Sequence, residues 1–237
     1  MTMQMNRIVI VGVGGIGEKV LRYLAMFLQY STGHEWELVL VDGDAYEDGN
    51  RDRQAFGALG NKATVKVAEF APLYDRISFR SVPEFVTADN VSTIIRDGDV
   101  VFLCVDDHTP RRIVSEHCGT LRNVTLISGG NELTDGNVQI FMRADGVNLI
   151  DPITKLHPEI GRAKRAQVFR PAEGCGRMAA AEPQLVFANL AAATTMLNAF
   201  YAVYKTGEPP FDEAYFDVMT GAVNPVTRRA PADAGRR

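Results

Sequence analysis

The chain has 237 residues, of which 46% are hydrophobic and 23% are charged, and its formal net charge is -4. This length suits one α/β domain with a sizeable core, and the weak negative charge argues against a nucleic-acid surface. Three scattered cysteines without a Cys-x-x-Cys pair are too few for a disulfide framework or a structural zinc site. We expect one reduced, cytoplasmic domain over residues 1–227, with no zinc and with neither nucleic acid nor membrane as a partner.

The first half of the chain alternates apolar runs with segments of helical periodicity. Continuous apolar runs are typical of strands buried on both faces of a sheet. The predicted strands are 7–12, 38–42, 77–82, 99–105 and 124–128, and the predicted helices are 17–29, 61–73, 88–96 and 111–119. This alternation predicts an α/β fold with a Rossmann-like, doubly wound and mostly parallel sheet.

From residue 136 onward the pattern changes to one that favours antiparallel strands. Alternating residues on both sides of Asp145-Gly146 predict a hairpin of 138–143 with 147–150. The stretch 151–176 has three prolines and no periodicity, which predicts a long mobile crossover and a candidate substrate channel or lid. The last predicted segments are an apolar helix at 183–205, a hairpin of 214–219 with 222–226, and a flexible basic tail at 228–237.

A glycine-rich turn, Gly12-Val13-Gly14-Gly15-Ile16-Gly17, joins the first strand to the first helix. Such a turn aims backbone N–H groups and the positive end of the helix dipole at phosphate. Gly12 permits the tight turn, Gly14 lets phosphate approach the backbone, and Gly17 lets helix and strand pack closely. Asp42, at the end of the second strand, is placed to accept a hydrogen bond from a ribose hydroxyl. These features alone fit a dinucleotide and ATP equally well.

Polar residues after the second strand favour ATP. Asp42, Asp44, Asn50, Arg53 and Gln54 resemble the Asp-x-Asp…Asn-x-x-Arg-Gln signature of the ThiF/MoeB/HesA superfamily of ubiquitin-activating-enzyme-like adenylyltransferases. Gly60-Asn61-Lys62-Ala63 is similar to that superfamily's Gly-x-x-Lys-Ala element, shortened by one residue, and Cys104-Val105-Asp106-Asp107 is similar to its Cys-Thr-Asp-Asn. The resemblance extends over residues 7–143 in the order of the superfamily.

The resemblance implies an adenylyltransferase that uses Mg-ATP to activate the C-terminal carboxylate of a ubiquitin-like or sulfur-carrier protein, or of a peptide. By the superfamily pattern, Asp42 would hold the ribose, Asn50 and Arg53 the phosphates, and Lys62 the leaving group or the α-phosphate. Asp106 would bind Mg²⁺ through ATP. The remaining residues implied for the nucleotide site are Gly12, Gly14, Gly15, Gly17, Asp44 and Gln54.

Several roles have a second interpretation. Lys66, one helical turn after Lys62, is the alternative catalytic lysine. Cys175, at the end of the crossover, is either a nucleophile toward the acyl-adenylate or a small buried thiol. Arg53 fits a surface charge at a helix start, and Asp106-Asp107 fits a cap of the helix that follows.

The resemblance also implies a homodimer in which a neighbouring copy's arginine reaches the ATP. The apolar helix 183–205 is the candidate dimer face, and Arg7 is the candidate arginine. Two other functions stay open at this point. An NAD-dependent oxidoreductase would use the glycine turn and Asp42 but would leave Arg53 and Asp106 unexplained, whereas a non-catalytic nucleotide-binding adaptor would share the fold without the chemistry.

Overall fold

A computed structural model describes residues 6–31, 35–48, 55–162 and 186–228. The strands are β1 Arg7–Val11, β2 Trp36–Val41, β3 Ala45–Tyr46, β4 Gly60–Asn61, β5 Ile77–Val82, β6 Val100–Leu103, β7 Val124–Asn131, β8 Asp135–Ala144, β9 Val147–Asn148, β10 Glu213–Asp217 and β11 Ala222–Val226. The helices are α1 Gly15–Gln29, α2 Lys62–Phe70, α3 Val91–Ile94, α4 His108–Cys118, α5 Ile153–Leu156, α6 Pro158–Gly161 and α7 Val186–Thr206, with a 3-10 turn at Ala71–Leu73.

A single large sheet organises the described chain. Its strands follow the order β11-β10-β8-β7-β6-β1-β2-β5, and β9 pairs with β8 beside this path. The strands β5, β2, β1, β6 and β7 run parallel to one another. The strands β8, β10 and β11 extend the sheet by antiparallel pairing. The predicted α/β fold, a doubly wound and mostly parallel sheet with a C-terminal antiparallel extension, is confirmed.

The central strand β1 shows why its sequence is a continuous apolar run. All five of its residues are buried. Ile8 and Ile10 pack into the cluster that contains α1 and α7, whereas Val9 and Val11 pack into the cluster on the opposite face with α3 and α4. Because successive side chains of a strand point to opposite faces, a strand covered by helices on both sides needs apolar residues throughout.

Helix α7 lies on the sheet against β7 and β8 and beside α1. By length and apolar composition alone it resembles a membrane-crossing helix, but half of its most apolar window is buried inside the protein. Met196 and Phe200 lie in the core cluster shared with α1, while Phe187, Leu190 and Tyr201 are exposed. The described helix therefore covers one face of the sheet and leaves apolar side chains on its outer surface.

The antiparallel part differs from the prediction in detail. Strand β8 begins earlier than residue 138, and its main partner is β7, with Val124 opposite Arg143 and Asn131 opposite Gly136. The predicted hairpin turn is present, since Asp145 and Gly146 both have positive φ, but β9 spans only two residues. The small sheet of β3 with β4 was not predicted.

The predicted crossover 151–176 contains two short helices, α5 and α6, in its described part. His157, between these helices, bonds through Nε2 to the fully buried Glu213 of β10, and Arg228 forms an ion pair with the same carboxylate. These contacts tie the start of the crossover to the antiparallel extension. The rest of the crossover and the predicted tail beyond residue 228 lie outside the described residues.

Candidate nucleotide-binding site

The strand order creates a crevice at the carboxyl end of β1. Strand β1 lies between β2 and β6. The chain therefore continues from β1 to β2 on one side of β1 and later adds β6 on the other side. In open α/β sheets, ligands bind outside the carboxyl ends of the strands at such a switch point. The glycine turn follows β1 directly and therefore lies in this crevice.

Close contacts at two positions of the glycine turn require glycine. Gly12 has a φ of +86°, and a Cβ there would lie 2.9 Å from the carbonyl oxygen of Cys104. A Cβ on Gly17 would collide with the carbonyl oxygen of Gly12. Gly14 precedes α1, and no side chain of the described residues caps that helix start. The first N–H groups of α1 are therefore available to an anion.

Asp42 fastens the glycine turn to the end of β2. Its Oδ2 accepts a hydrogen bond from the Val13 N–H at 2.7 Å, and its Oδ1 accepts one from the Asp44 N–H at 2.9 Å. Burial raises the pKa of the Asp42 carboxyl above its ordinary value, while the Lys62 charge and the two N–H groups act in the opposite direction. The predicted ribose residue thus has a structural task in this site: it fixes the turn.

Lys62 lies at the first turn of α2 and faces the same cluster. Its Nζ donates to Asp44 Oδ2 at 3.2 Å, and its backbone N–H donates to the Asp44 carbonyl at 2.9 Å. Asn61 joins these segments, since its Nδ2 donates to the Asp42 carbonyl at 2.7 Å and its Oδ1 caps α2 by accepting from the Thr64 N–H at 3.1 Å. Asn61 was quoted within a motif but not predicted as a site residue, although an asparagine before a helix is a known capping signal.

Lys66, the alternative lysine, lies inside the protein. It is 1% exposed, and its Nζ donates to Glu69 Oε2 at 2.7 Å and to the carbonyl oxygen of Ala55. The ammonium group of Lys66 is thus paired with a carboxylate of α2 and with a carbonyl of the segment before α2. Between the two lysines, Lys62 is therefore the one whose ammonium group lies with the Asp42 and Asp44 cluster.

Tyr46 of β3 is a further site residue that the sequence analysis missed. Its hydroxyl donates to the carbonyl oxygen of Val13 in the glycine turn at 3.2 Å, and its ring stacks on Phe56 at 4.3 Å. The Nζ of Lys62 lies 6.0 Å from the centre of this ring. Burial raises the pKa of the Tyr46 phenol, so it remains a neutral donor. No short motif marked this tyrosine, because its role depends on the two-residue pairing of β3 with β4.

The end of β6 carries the acidic pair of the third motif. Asp106 is exposed, while the side chain of Asp107 caps α4 by accepting from the Thr109 N–H. Arg111 is buried and donates from Nη1 to Ser128 Oγ and from Nη2 to the Gly129 carbonyl, both at 2.8 Å. Burial lowers the pKa of Arg111, and the Asp106 carboxylate acts in the opposite direction. The cap interpretation thus holds for Asp107, and the magnesium role of Asp106 stays a prediction.

Four predicted site residues, Asn50, Arg53, Gln54 and Cys175, lie outside the described residues. Of the other two cysteines, Cys118 is buried, and burial raises the pKa of the Cys104 thiol to about 12. Within the described ranges, no three His, Cys, Asp or Glu side chains lie together as a metal site would require.

Arg7 is not placed to reach another copy's nucleotide. It is 8% exposed at the start of β1, the end of the strand away from the glycine turn. Its guanidinium bonds to Asp99 and to the Ile94 carbonyl, and its Nε lies 3.2 Å from Glu37. The structure speaks against the predicted role of this arginine, because the buried Asp99, the partly exposed Glu37 and the Ile94 carbonyl already engage its guanidinium.

The sequence profile of the ThiF family matches residues 2–211. The chain belongs to the ThiF family. Among curated ThiF-like relatives, the SAMP-activating enzyme E1 of Haloferax volcanii is 31% identical over 129 residues, which are 52% of this chain and 45% of that protein. The adenylyltransferase and sulfurtransferase uba4 of Pyricularia oryzae is 30% identical over 141 residues, which are 56% of this chain and 27% of that protein. The matches therefore span less than half the length of both relatives.

Solved structures show the same ThiF-family fold. Escherichia coli MccB with ATP superposes with a TM-score of 0.64 at 16% identity, covering 97% of this chain and 67% of MccB. MccB with selenomethionine MccA gives a TM-score of 0.67 at 18% identity, covering 98% and 66%. At these identities the likeness shows the fold, which in this ThiF-family chain places the glycine turn, Asp42 and Lys62 around one crevice.

Proposed function

We propose that this protein is an ATP-dependent adenylyltransferase that activates the C-terminal carboxylate of a ubiquitin-like or sulfur-carrier protein, or of a peptide. The relatives named above are called adenylyltransferases or activating enzymes, and one related fold was solved with ATP. The proposal extends the activity in those names to this shorter chain. Mg-ATP is the co-substrate, with Mg²⁺ entering on the nucleotide.

The observation that carries the proposal is the lysine beside the glycine turn. The Lys62 ammonium group lies 3.2 Å from Asp44 Oδ2, and Asp42, which feels the Lys62 charge, holds the Val13 N–H of the turn. A polyphosphate that must lose pyrophosphate needs a cation near its phosphates, because negative charge develops on the leaving group. A bound dinucleotide that only transfers hydride has no such need, which favours ATP over NAD.

The reaction balances without a redox partner. A carboxylate oxygen of the substrate attacks the α-phosphorus of ATP, the bond from that phosphorus to the bridging oxygen of the β-phosphate breaks, and pyrophosphate leaves with its electron pair. An acyl-adenylate remains on the enzyme. The chain's contribution is to hold the triphosphate at the start of α1 and to neutralise its charge with Lys62 and, by the family pattern, with Arg53 and Asn50.

Partners and later steps complete the proposal. The acyl-adenylate passes to a thiol or an amine, and Cys175 is the candidate thiol of this chain. Asp106 remains the candidate residue for the ATP-bound Mg²⁺. The exposed apolar residues Phe187, Leu190 and Tyr201 of α7 are the proposed face of a homodimer, and the proposed location is cytoplasmic.

The first experiment compares Mg-ATP with NAD as stabilising ligands of the purified protein. A ligand that binds only the native state raises the melting temperature. We expect Mg-ATP to stabilise the wild type and to lose that effect in Arg53→Ala. Arg76→Ala is the matched control, because Arg76 is exposed and, within the part of the chain that the structure describes, donates to Gln29, at the opposite end of α1 from the glycine turn.

Stabilisation by NAD alone that is unchanged in Arg53→Ala would refute the proposal in favour of an oxidoreductase. The second step is exchange of labelled pyrophosphate into ATP in the presence of a peptide that ends in Gly-Gly. Exchange that requires the free peptide carboxylate, and that a C-terminal amide abolishes, supports adenylation. Nucleotide binding without exchange for any carboxylate tried, including candidate protein partners, would favour the adaptor.

A further inference from the structure

One buried polar side chain next to the glycine turn has no task in the architecture described above. Asn189, in the first turn of α7, is 1% exposed. Among the described residues, neither its Nδ2 nor its Oδ1 has a hydrogen-bond partner. A buried amide without partners opposes folding, because both of its groups lose their water. Such a group needs an explanation, and a ligand that completes its hydrogen bonds is one.

Asn189 lies against the first residue of α1. A Cβ built on Gly15 would lie 2.6 Å from Asn189 Nδ2 and 3.1 Å from Oδ1, so the carboxamide fills the space that a side chain at position 15 would occupy. Gly15 follows the N-cap of α1, where the helix offers N–H groups that no side chain of the described residues caps. Two independent observations therefore meet at one place: an open helix start and an unpartnered buried amide beside it.

We propose that Asn189 is a nucleotide-binding residue whose Nδ2 donates to a phosphate oxygen held at the start of α1. This inference rests on the proposed ATP site and adds to it a contact from the opposite end of the sequence. A carboxamide suits the position because it donates without carrying charge, so it costs less to bury than a lysine or an arginine in the absence of ligand.

The geometry also gives a reason for the glycine at position 15. Any side chain there would displace the Asn189 carboxamide. The contact links the nucleotide turn to α7, the helix that follows the chain segment containing Cys175. A bound phosphate would thus receive hydrogen bonds from one segment that precedes Cys175 in the sequence and from one that follows it.

The test uses Asn189→Leu, which has a similar shape and no polar atoms. We expect the unliganded variant to melt at the same temperature as the wild type or higher, since a cost of folding is removed. We expect its Kd for Mg-ATP and for AMP to rise roughly 10- to 100-fold, the value of one hydrogen bond to a charged group. Binding of adenosine, which has no phosphate, should not change.

Asn198→Leu is the matched control, because Asn198 is an exposed asparagine of the same helix. Its Kd for each nucleotide should equal that of the wild type. Asn189→Ser is the second variant in case leucine does not fit beside Gly15. It is smaller, keeps one short donor and should show the same weakened binding of ATP and AMP.

A lower melting temperature with unchanged nucleotide affinity in both Asn189 variants would overturn the proposal and make the residue a structural one. Unchanged nucleotide affinity with weaker binding of a glycyl sulfamoyl-adenosine would also overturn it and assign the amide to the substrate carboxylate. If the wild type itself binds neither ATP nor AMP, the proposed function fails first. Retained wild-type binding with an unaffected Asn189→Leu refutes only the inference about Asn189.

Discussion

The two ends of the parallel sheet both contain buried charge, and they use it differently. At the amino end, Arg7 bonds to Asp99 and to the Ile94 carbonyl and forms an ion pair with Glu37, so its charge is compensated within the fold. At the carboxyl end, Asp42 and Lys62 surround a helix start whose N–H groups no described side chain caps. The comparison teaches that burial of charge alone does not mark a functional site. What distinguishes the carboxyl end is the uncapped helix start beside the charges.

Breaking the ion pair of Arg7 with Asp99 should have the largest effect, and this effect should be on stability alone. Arg7→Met leaves the Asp99 carboxylate buried without its main cation, which should cost about 3–5 kcal/mol of unfolding free energy. Urea unfolding measures this loss. The double variant Arg7→Met with Asp99→Leu should recover much of it. A changed affinity for Mg-ATP in the folded single variant would contradict the separation of the two ends.

The two lysines of α2 sharpen the same contrast within one helix. Lys62→Ala should slow pyrophosphate exchange by about 10²–10³-fold, roughly 2.7–4 kcal/mol, because it removes a charge aimed at the developing anion. Lys66→Ala should instead lower the unfolding free energy by about 2 kcal/mol, because the Ala55 carbonyl and Glu69 lose a buried donor. Pyrophosphate-exchange kinetics and urea unfolding, each measured on both variants, separate the two effects. If Lys62→Ala and Lys66→Ala slowed exchange equally, the assignment of Lys62 would be refuted.

Two glycines with positive φ provide a matched test of the turn. Gly12→Ala adds a close approach to the Cys104 carbonyl to the backbone strain and should cost about 3 kcal/mol. Gly146→Ala at φ +81° has no heavy atom within 4 Å of the new Cβ and should cost only about 1 kcal/mol. Thermal and urea unfolding give both values. Similar losses would mean that the turn after β1 is looser than its contacts indicate.

The smallest effect concerns pH. Because burial raises the folded-state pKa of Asp42 above the ordinary value of 3.8, the folded protein takes up the proton first on acidification. The wild type should therefore gain stability relative to Asp42→Asn as pH falls through that raised pKa toward 3.8. At pH values above the raised pKa of Asp42, the difference in stability between the wild type and Asp42→Asn should be constant. Melting temperatures of both proteins across this range test the sign, and a relative loss of wild-type stability on acidification would contradict it.

The parallel half of the fold was predictable because each element carries its own local signal. Strand β1 and helix α1 show apolar runs and helical spacing that depend on no distant partner. The glycine turn was predictable for the same reason, since its requirement for Gly12 and Gly17 arises within one short connection. Family resemblance supplied Asp42 and Lys62 as site residues, and the structure brings them together.

The missed features depend on residues far apart in the sequence. Tyr46 reaches Val13 only because β3 pairs with β4, and each of these strands has two residues. Strand β8 pairs along β7 rather than mainly with β9, a choice made by the whole sheet. Asn189 looks in sequence like a polar interruption of an apolar helix, and only the packing of α7 against Gly15 gives it a possible task.

The ties around Glu213 have a consequence for how this protein can be altered. His157 and Arg228 bind its carboxylate, and β10 pairs with β8 at Gln139 opposite Glu213. One carboxylate thus joins three segments that lie far apart in the sequence: the turn before α6, strand β10 and the residues after β11. A substitution at Glu213 would therefore release all three segments at once, which makes this carboxylate a position to keep when the protein is altered.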